Sequence, residues 1–255
     1  MKARFKILYW FGLVVSLFCS QSILASEVRC KYGQPSSCPE GQFCINSNKD
    51  LAVCRSQTKS PKFIDFPFGP NIPVWCDQGN LTPAGNSHTW VNTAFALDLH
   101  SKRSQPSEAT VHAVFSGKVI AYSECNSVND KCGLGFGNQV KILNTDGRMA
   151  FYAHLKNVFV KTGNSVNLGD PIGTEGMTGW TGKNNPHLHL SIHENWRTHG
   201  FDYWKQTGYL PPSIPFKLKY CKNGCSDKCV KVAIDSREIP CRRRSKEIQA
   251  MCRAK

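Results

Sequence analysis

The sequence predicts an all-β protein, an antiparallel sheet domain flanked by small disulfide-rich extensions at its two ends. Between residues 61 and 216 the chain is a series of short apolar runs, each closed by Gly, Asn, Asp or Pro, which is how half-buried strands read. No run in that span sustains a helical period. The cysteines gather at the ends, with Cys30, Cys38, Cys44 and Cys54 at the start and Cys221, Cys225, Cys229, Cys241 and Cys252 at the finish.

Residues 1–25 read as a secretory signal peptide. Lys2, Arg4 and Lys6 form a basic start, residues 7–18 an apolar core, and Ala25-Ser26 a small-residue cleavage point. The apolar run is shorter than the ~20 residues a membrane helix needs, and no later segment suits a span. Phe18 before Cys19 is too large for a lipoprotein cleavage site, so removal is expected rather than lipid anchoring. The expected fate is export, either periplasmic or secreted.

Cleavage there removes Cys19 and leaves twelve of the thirteen cysteines, an even number suited to as many as six disulfides in an oxidising compartment. Residues 26–60 hold four of them and little apolar content, so this unit depends on bridges rather than on a core. Cys125 and Cys132 close a short loop between strands, and Cys76 is left to pair with the odd member of the C-terminal five. A zinc site at Cys221, Cys225 and Cys229 is the weaker alternative.

Residues 61–216 are large enough for one proper core. The clearest strands are 93–99, 110–115, 118–123, 139–144, 149–155 and 187–193, with a brief one at 171–173. Ser116-Gly117 and Asp146-Gly147 read as hairpin turns between neighbours. A short helix is expected within 235–251. Residues 217–255 carry twelve Lys and Arg against four Asp and Glu, a net charge of +8 out of +14 for the whole chain. Such a tail favours anionic polymers or surfaces. Nucleic acid is a poor candidate, given the export signal and the lack of a binding motif.

The chemistry concentrates in three stretches: His88 with Asp98, His154 in Tyr-Ala-His-Leu, and His187 with His189 in Pro-His-Leu-His-Leu. Catalytic zinc sites take three His or carboxylate ligands and keep a position for water, so this set supplies the parts of a zinc hydrolase. No nucleophilic-serine motif, phosphate loop or dinucleotide fingerprint competes. His187 and His189 lie two apart on a strand and therefore share a face. Asp98 is a carboxylate inside an apolar strand, a costly placement unless paired or metal-bound. The strand period also puts Tyr152 and His154 on one face.

The ordered set formed by His88, Asp98, Gly137-Asn138-Gln139-Val140, Tyr-Ala-His-Leu, and Thr-Gly followed by Pro-His-Leu-His resembles the lysostaphin and β-lytic metallopeptidase family, zinc endopeptidases that mostly cut cell-wall cross-links. The likeness covers about residues 85–195 and neither end module. It implies zinc ligands at His88, Asp98 and His189, and catalytic assistance from His154 and His187. It further implies amide hydrolysis of peptidoglycan cross-links. Other uses of the same set are a secreted endopeptidase acting on glycine-rich proteins, and a wall-binding or regulatory relative without turnover.

Two features depart from the family pattern. Nine residues separate His88 from Asp98 where many members have three, and His100, two beyond Asp98 on the same face, is the rival ligand to the preferred His88. Lys183-Asn184-Asn185 also lengthens the loop before Pro186. Among the other histidines, His112 is expected to be structural and His199 solvated; His193 shares a face with His187 and His189 and is also read as structural, with a place behind the site as the alternative. Trp90, Trp180, Trp196 and Trp204 flank the motifs and are candidates for either a substrate groove or packing.

Overall fold

The computed structural model describes residues 29–30, 38–39, 42–48, 51–56, 62–81, 88–101, 108–182, 185–194, 196–198, 200–206, 210–221, 225, 230–239, 241 and 250–253. The signal-peptide segment, His199 and Cys229 lie outside the described residues, as does the side chain of Trp204.

Strands β1 (Gln42–Asn48) and β2 (Leu51–Ser56) pair as an antiparallel hairpin. Cys30–Cys44 and Cys38–Cys54 staple it, which suits a segment with little apolar content. Next come β3 (Phe63–Ile64), β4 (Trp75–Gln78), β5 (Leu97–His100), β6 (Thr110–His112) and β7 (Gly117–Tyr122). They are followed by β8 (Asn138–Leu143), β9 (Met149–Leu155), β10 (Ser165–Val166), β11 (Pro171–Thr174) and β12 (Leu188–His193). A short helix, α1 (Gly200–Gln206), precedes β13 (Ser213–Ile214), β14 (Lys217–Cys221) and β15 (Lys231–Asp235).

The main sheet has eight strands in the order β10-β7-β8-β9-β12-β5-β4, with β13 also on β12. Neighbouring strands within it run antiparallel. β6 pairs with β11, and β14 lies between β15 and a parallel β3.

Side chains alternate cleanly across this sheet. Leu97 and Leu99 of β5, Val140 and Ile142 of β8, Tyr152 of β9 and Leu188, Leu190 and Ile192 of β12 enter the larger core, with Phe66, Phe68 and Phe216. Burial of each large apolar side chain contributes about 1.5–3 kcal/mol. The opposite face carries Met149, Phe151 and Ala153 under Phe136, Trp196, Phe201 and Tyr203. It also carries the even-and-odd counterparts of the core residues, Asp98 on β5 and His189 on β12. The sheet thus divides into a greasy side and a chemical side.

Three local expectations change. The strand expected from residue 93 starts at Leu97, because the amides of Thr93 and Ala94 turn back to the carbonyl of Trp90, and that of Ala96 to Thr93. Ser116-Gly117 is no hairpin turn: β6 leaves to pair with β11, while β7 joins β8 and β10. Glycine is needed at 117 because a Cβ there would lie 2.5 Å from the Leu143 carbonyl oxygen. In the tail, Asp235 ends a strand and the next residues turn, so no helix starts there; residues 242–249 lie outside the described residues. Asp146-Gly147 does join β8 to β9, with Asn144 N–H donating to Arg148 O at 2.8 Å.

Cys125–Cys132 closes its loop, and Cys76 is bridged to Cys241 in the tail. Cys225 pairs with Cys252, and Cys221 is also disulfide-bonded, which rules out the tail zinc site.

Candidate metal centre

β5 and β12 are neighbours, and their register sets Asp98 directly opposite His189. His88 arrives from the turn before β5. Its Nδ1–H donates to the carbonyl of Gly79 at 2.9 Å, which leaves Nε2 as a lone-pair atom. That Nε2 lies 3.1 Å from Asp98 Oδ1 and 3.3 Å from His189 Nδ1, and His189 Nδ1 lies 3.0 Å from the same Asp98 oxygen. All three residues are buried.

With Nδ1–H committed to Gly79, the 3.1 Å contact between His88 Nε2 and Asp98 Oδ1 calls for a shared cation between them, either a proton on Nε2 or a metal ion. Tetrahedral zinc with bonds of about 2.0–2.1 Å would separate its ligand atoms by about 3.3 Å. The triangle therefore fits a small tetrahedral ion, and the imidazole–carboxylate–imidazole donor set suits zinc.

The electrostatics agree. Burial opposes charge on Asp98, yet His88 and His187 together with hydrogen bonds from His189 and His88 outweigh it and hold the carboxyl well below its usual range. Burial likewise opposes charge on His88, but attraction to Asp98 prevails and raises its pKa. Burial lowers that of His189 despite its bond to Asp98. The pocket is built to keep an anion next to a positive charge.

His187 stands beside this triangle, with Nε2 3.8 Å from Asp98 Oδ1. Its Nδ1–H donates to Asn185 O at 2.8 Å, so Nε2 is its free atom. His154 lies across from it, ring centroids 4.8 Å apart, and donates from Nδ1 to Thr178 O at 2.9 Å. Burial, then the neighbouring His187 and His189, push the His154 pKa far down, so the ring is neutral.

The expected sharing of a face by Tyr152 and His154 is overturned. Tyr152 points into the larger core, where its hydroxyl accepts the Val114 N–H at 2.8 Å. Between β8 and β9 the register shifts so that Ala153 and His154 together oppose Gln139. His154 takes a φ of +62°, and the bulge swings its ring to the chemical face. Bulges re-aim side chains beside active sites, and a non-glycine residue in this conformation costs about 1–3 kcal/mol.

The rival His100 does not join the triangle; its Nδ1 lies 3.3 Å from Asp77 Oδ2. His112 donates to Gly169 O at 2.8 Å beneath a loop. His193 is buried between Ser191 Oγ and Pro211 O at 2.8 and 2.7 Å. Trp196 packs on the smaller core and donates to Asn144 O, whereas Trp90 and Trp180 are exposed.

Sequence reasoning missed three contributors. Gly79 and Thr178 act through backbone carbonyls, which no side-chain pattern announces. Phe136 lines the site with its ring 5.5 Å from His189 and 5.0 Å from Phe151. The glycines on either side of it were the available signal.

Fold and site together give an antiparallel sheet domain whose buried His88, Asp98 and His189 could hold a metal ion. Residues 97–200 match the model of Peptidase family M23. His88 precedes the matched segment, so its place rests on the geometry above. An uncharacterized metalloprotease of Buchnera aphidicola subsp. Baizongia pistaciae is 29% identical over 93 residues, 36% of this chain. The match spans about a quarter (24%) of that relative's length. Among solved structures, the catalytic domain of the antimicrobial peptidase lysostaphin from Staphylococcus simulans is 27% identical, with a TM-score of 0.32, covering 51% of this chain and 78% of that one. Pseudoalterin, an M23 metalloprotease from the deep sea, is 16% identical with a TM-score of 0.37, covering 55% and 73%.

Proposed function

We propose that this protein is an exported zinc metalloendopeptidase that hydrolyses peptide cross-links of bacterial peptidoglycan. The observation that carries the reading is the buried triangle of His88 Nε2, Asp98 Oδ1 and His189 Nδ1, with edges of 3.0–3.3 Å. These three residues would hold zinc. When bound, zinc supplies a Lewis acid that acidifies water and polarises the scissile carbonyl.

His154 and His187 are the proton-handling pair. Each commits its Nδ1–H to a backbone carbonyl, of Thr178 and Asn185 respectively, which fixes the tautomer and leaves Nε2 free. A neutral imidazole held this way can take a proton from the attacking water and return one to the departing amine. The partner ring, once carrying a proton, donates to the oxygen that gains charge as the carbonyl is attacked. Phe136 and Phe151 wall the site and lower its local dielectric, which strengthens each of these contacts.

Export is supported by the signal-like start and by the disulfides at both ends of the chain, which suit an oxidising compartment. The basic tail suits an anionic wall polymer. No helix among the described residues is long and apolar enough to cross a membrane.

The test is hydrolysis of purified peptidoglycan in zinc-replete buffer, with released amines counted and fragments weighed. Wild type should release new amine termini and His189→Ala should not. Zinc-loaded wild type that releases none, yet cuts glycine-rich protein, would move the reading to a protein substrate.

A further inference from the structure

Within the endopeptidase reading, we infer that Leu134 and Trp180 form a specificity subsite that packs against the aliphatic part of a substrate residue next to the scissile bond. Both side chains are largely exposed, Leu134 at 73% and Trp180 at 65%. Exposed apolar groups scattered singly mean little, but contiguous ones beside a site mark contact surfaces.

Trp180 is joined to the loop that carries Leu134. The Trp180 N–H donates to Gly135 O at 2.7 Å, and a Cβ on Gly135 would meet the Trp180 Cβ at 3.6 Å. On the other flank, a Cβ on Gly133 would meet the Tyr122 ring at 3.4 Å. Tyr122, Leu134 and Trp180 therefore follow one another along one rim.

The rim is tied to the reacting groups from both sides. Two residues before Trp180, the Thr178 carbonyl accepts the Nδ1–H of His154. Two residues after Leu134, Phe136 sets its ring 5.5 Å from His189 and 6.4 Å from His154. An extended peptide advances about 3.3 Å per residue, so a side chain one or two residues from the scissile bond reaches this rim.

The loop is also fixed. Cys125–Cys132 closes it, and Gly137 packs so tightly on Gly179 that a Cβ on the latter would lie 2.3 Å from the Gly137 nitrogen. Within it Leu134 takes a φ of +60° between Gly133 and Gly135 at +58° and +88°. A residue that only had to make this turn would be glycine or asparagine. A leucine held there and turned to solvent is unexplained by folding, and a bound aliphatic group explains it. Such strain gathers at ligand-binding positions.

The test compares quenched peptides built on a pentaglycine core with matched peptides in which one glycine beside the cut is leucine. Zinc-loaded wild type should favour a leucine peptide by about tenfold in kcat/KM, the scale of one apolar side chain in a pocket. Trp180→Ala and Leu134→Gly should bring the ratio close to one, chiefly through KM, with unchanged zinc content and circular dichroism. Leu134→Gly suits the backbone at that position, so misfolding does not confound it. An equal leucine-to-glycine ratio in wild type and both variants would overturn the subsite alone. Failure of zinc-loaded wild type to cut any peptide or peptidoglycan would instead overturn the endopeptidase reading.

Discussion

His88 is oriented by Gly79: the imidazole donates from Nδ1 to that carbonyl at 2.9 Å, and Nε2 is thereby turned to Asp98 and His189. The same glycine lies against the Cys76–Cys241 bridge, where an added Cβ would come within 2.9 Å of Cys241 Sγ. Gly79→Ala must therefore move this segment or the bridge. Groups that orient a metal ligand are worth about 10–100-fold in affinity. Zinc affinity, read by competition with a chelating dye, should fall by about tenfold or more in Gly79→Ala. An unchanged affinity would show that the Gly79 carbonyl does not set the ligand.

His154 sits at φ +62° on the bulge of β9. A Cβ in that conformation costs about 1–2 kcal/mol that glycine does not incur. Both His154→Gly and His154→Ala should lose turnover, and both should keep zinc because the ring is outside the ligand triangle. The glycine variant should nevertheless melt at or above the alanine variant, against the usual order in a strand. Alanine melting clearly higher would refute strain at this position.

His193 gives a pH dependence with a definite sign. Burial, relieved in part by its bond to Pro211 O, pushes its pKa from 6.5 down to about 3. Between those values the unfolded chain binds a proton at this residue and the folded chain does not. Stability is therefore full above about pH 6.5 and falls as pH drops toward 3, by up to about 1.4 kcal/mol per pH unit. In His193→Gln the slope of urea-unfolding free energy against pH should flatten across this window. Parallel slopes for the two proteins would assign acid sensitivity elsewhere.

Cys76 and Cys241 are 165 residues apart in sequence, so their bridge closes a loop that spans most of the sheet domain. Such bridges typically stabilise by about 2–4 kcal/mol. The double variant Cys76→Ser with Cys241→Ser should melt about 4–16 °C lower by calorimetry under oxidising conditions. A change below 2 °C would mean that the β4–tail contacts hold without the bond.

The all-β class and the alternation on β9 and β12 could be read directly from the chain, because side-chain direction in a strand follows from position alone. That rule put His187 and His189 on one face and the leucines between them in the core. It failed at two places where hydrogen bonds outside the strand prevailed. Residues 93–96 turn back on Trp90 instead of extending, and the Ala153-His154 bulge reverses the face of His154. Ser116-Gly117 misled for a related reason: a turn signal is local, but which strand it joins is decided by the rest of the sheet.

By itself the sequence determined the strand content, the segregation of cysteines and the residue types that can bind zinc, since composition and spacing fix each of these within a few residues. Tertiary structure alone decided that His88 rather than His100 meets Asp98, that Gly79, Thr178 and Asn185 fix three imidazoles through their carbonyls, and that His154 faces the His88–Asp98–His189 triangle. Those outcomes depend on distances of about 3 Å between segments far apart in the chain. The energy of such contacts varies with register and backbone twist, which no local pattern encodes.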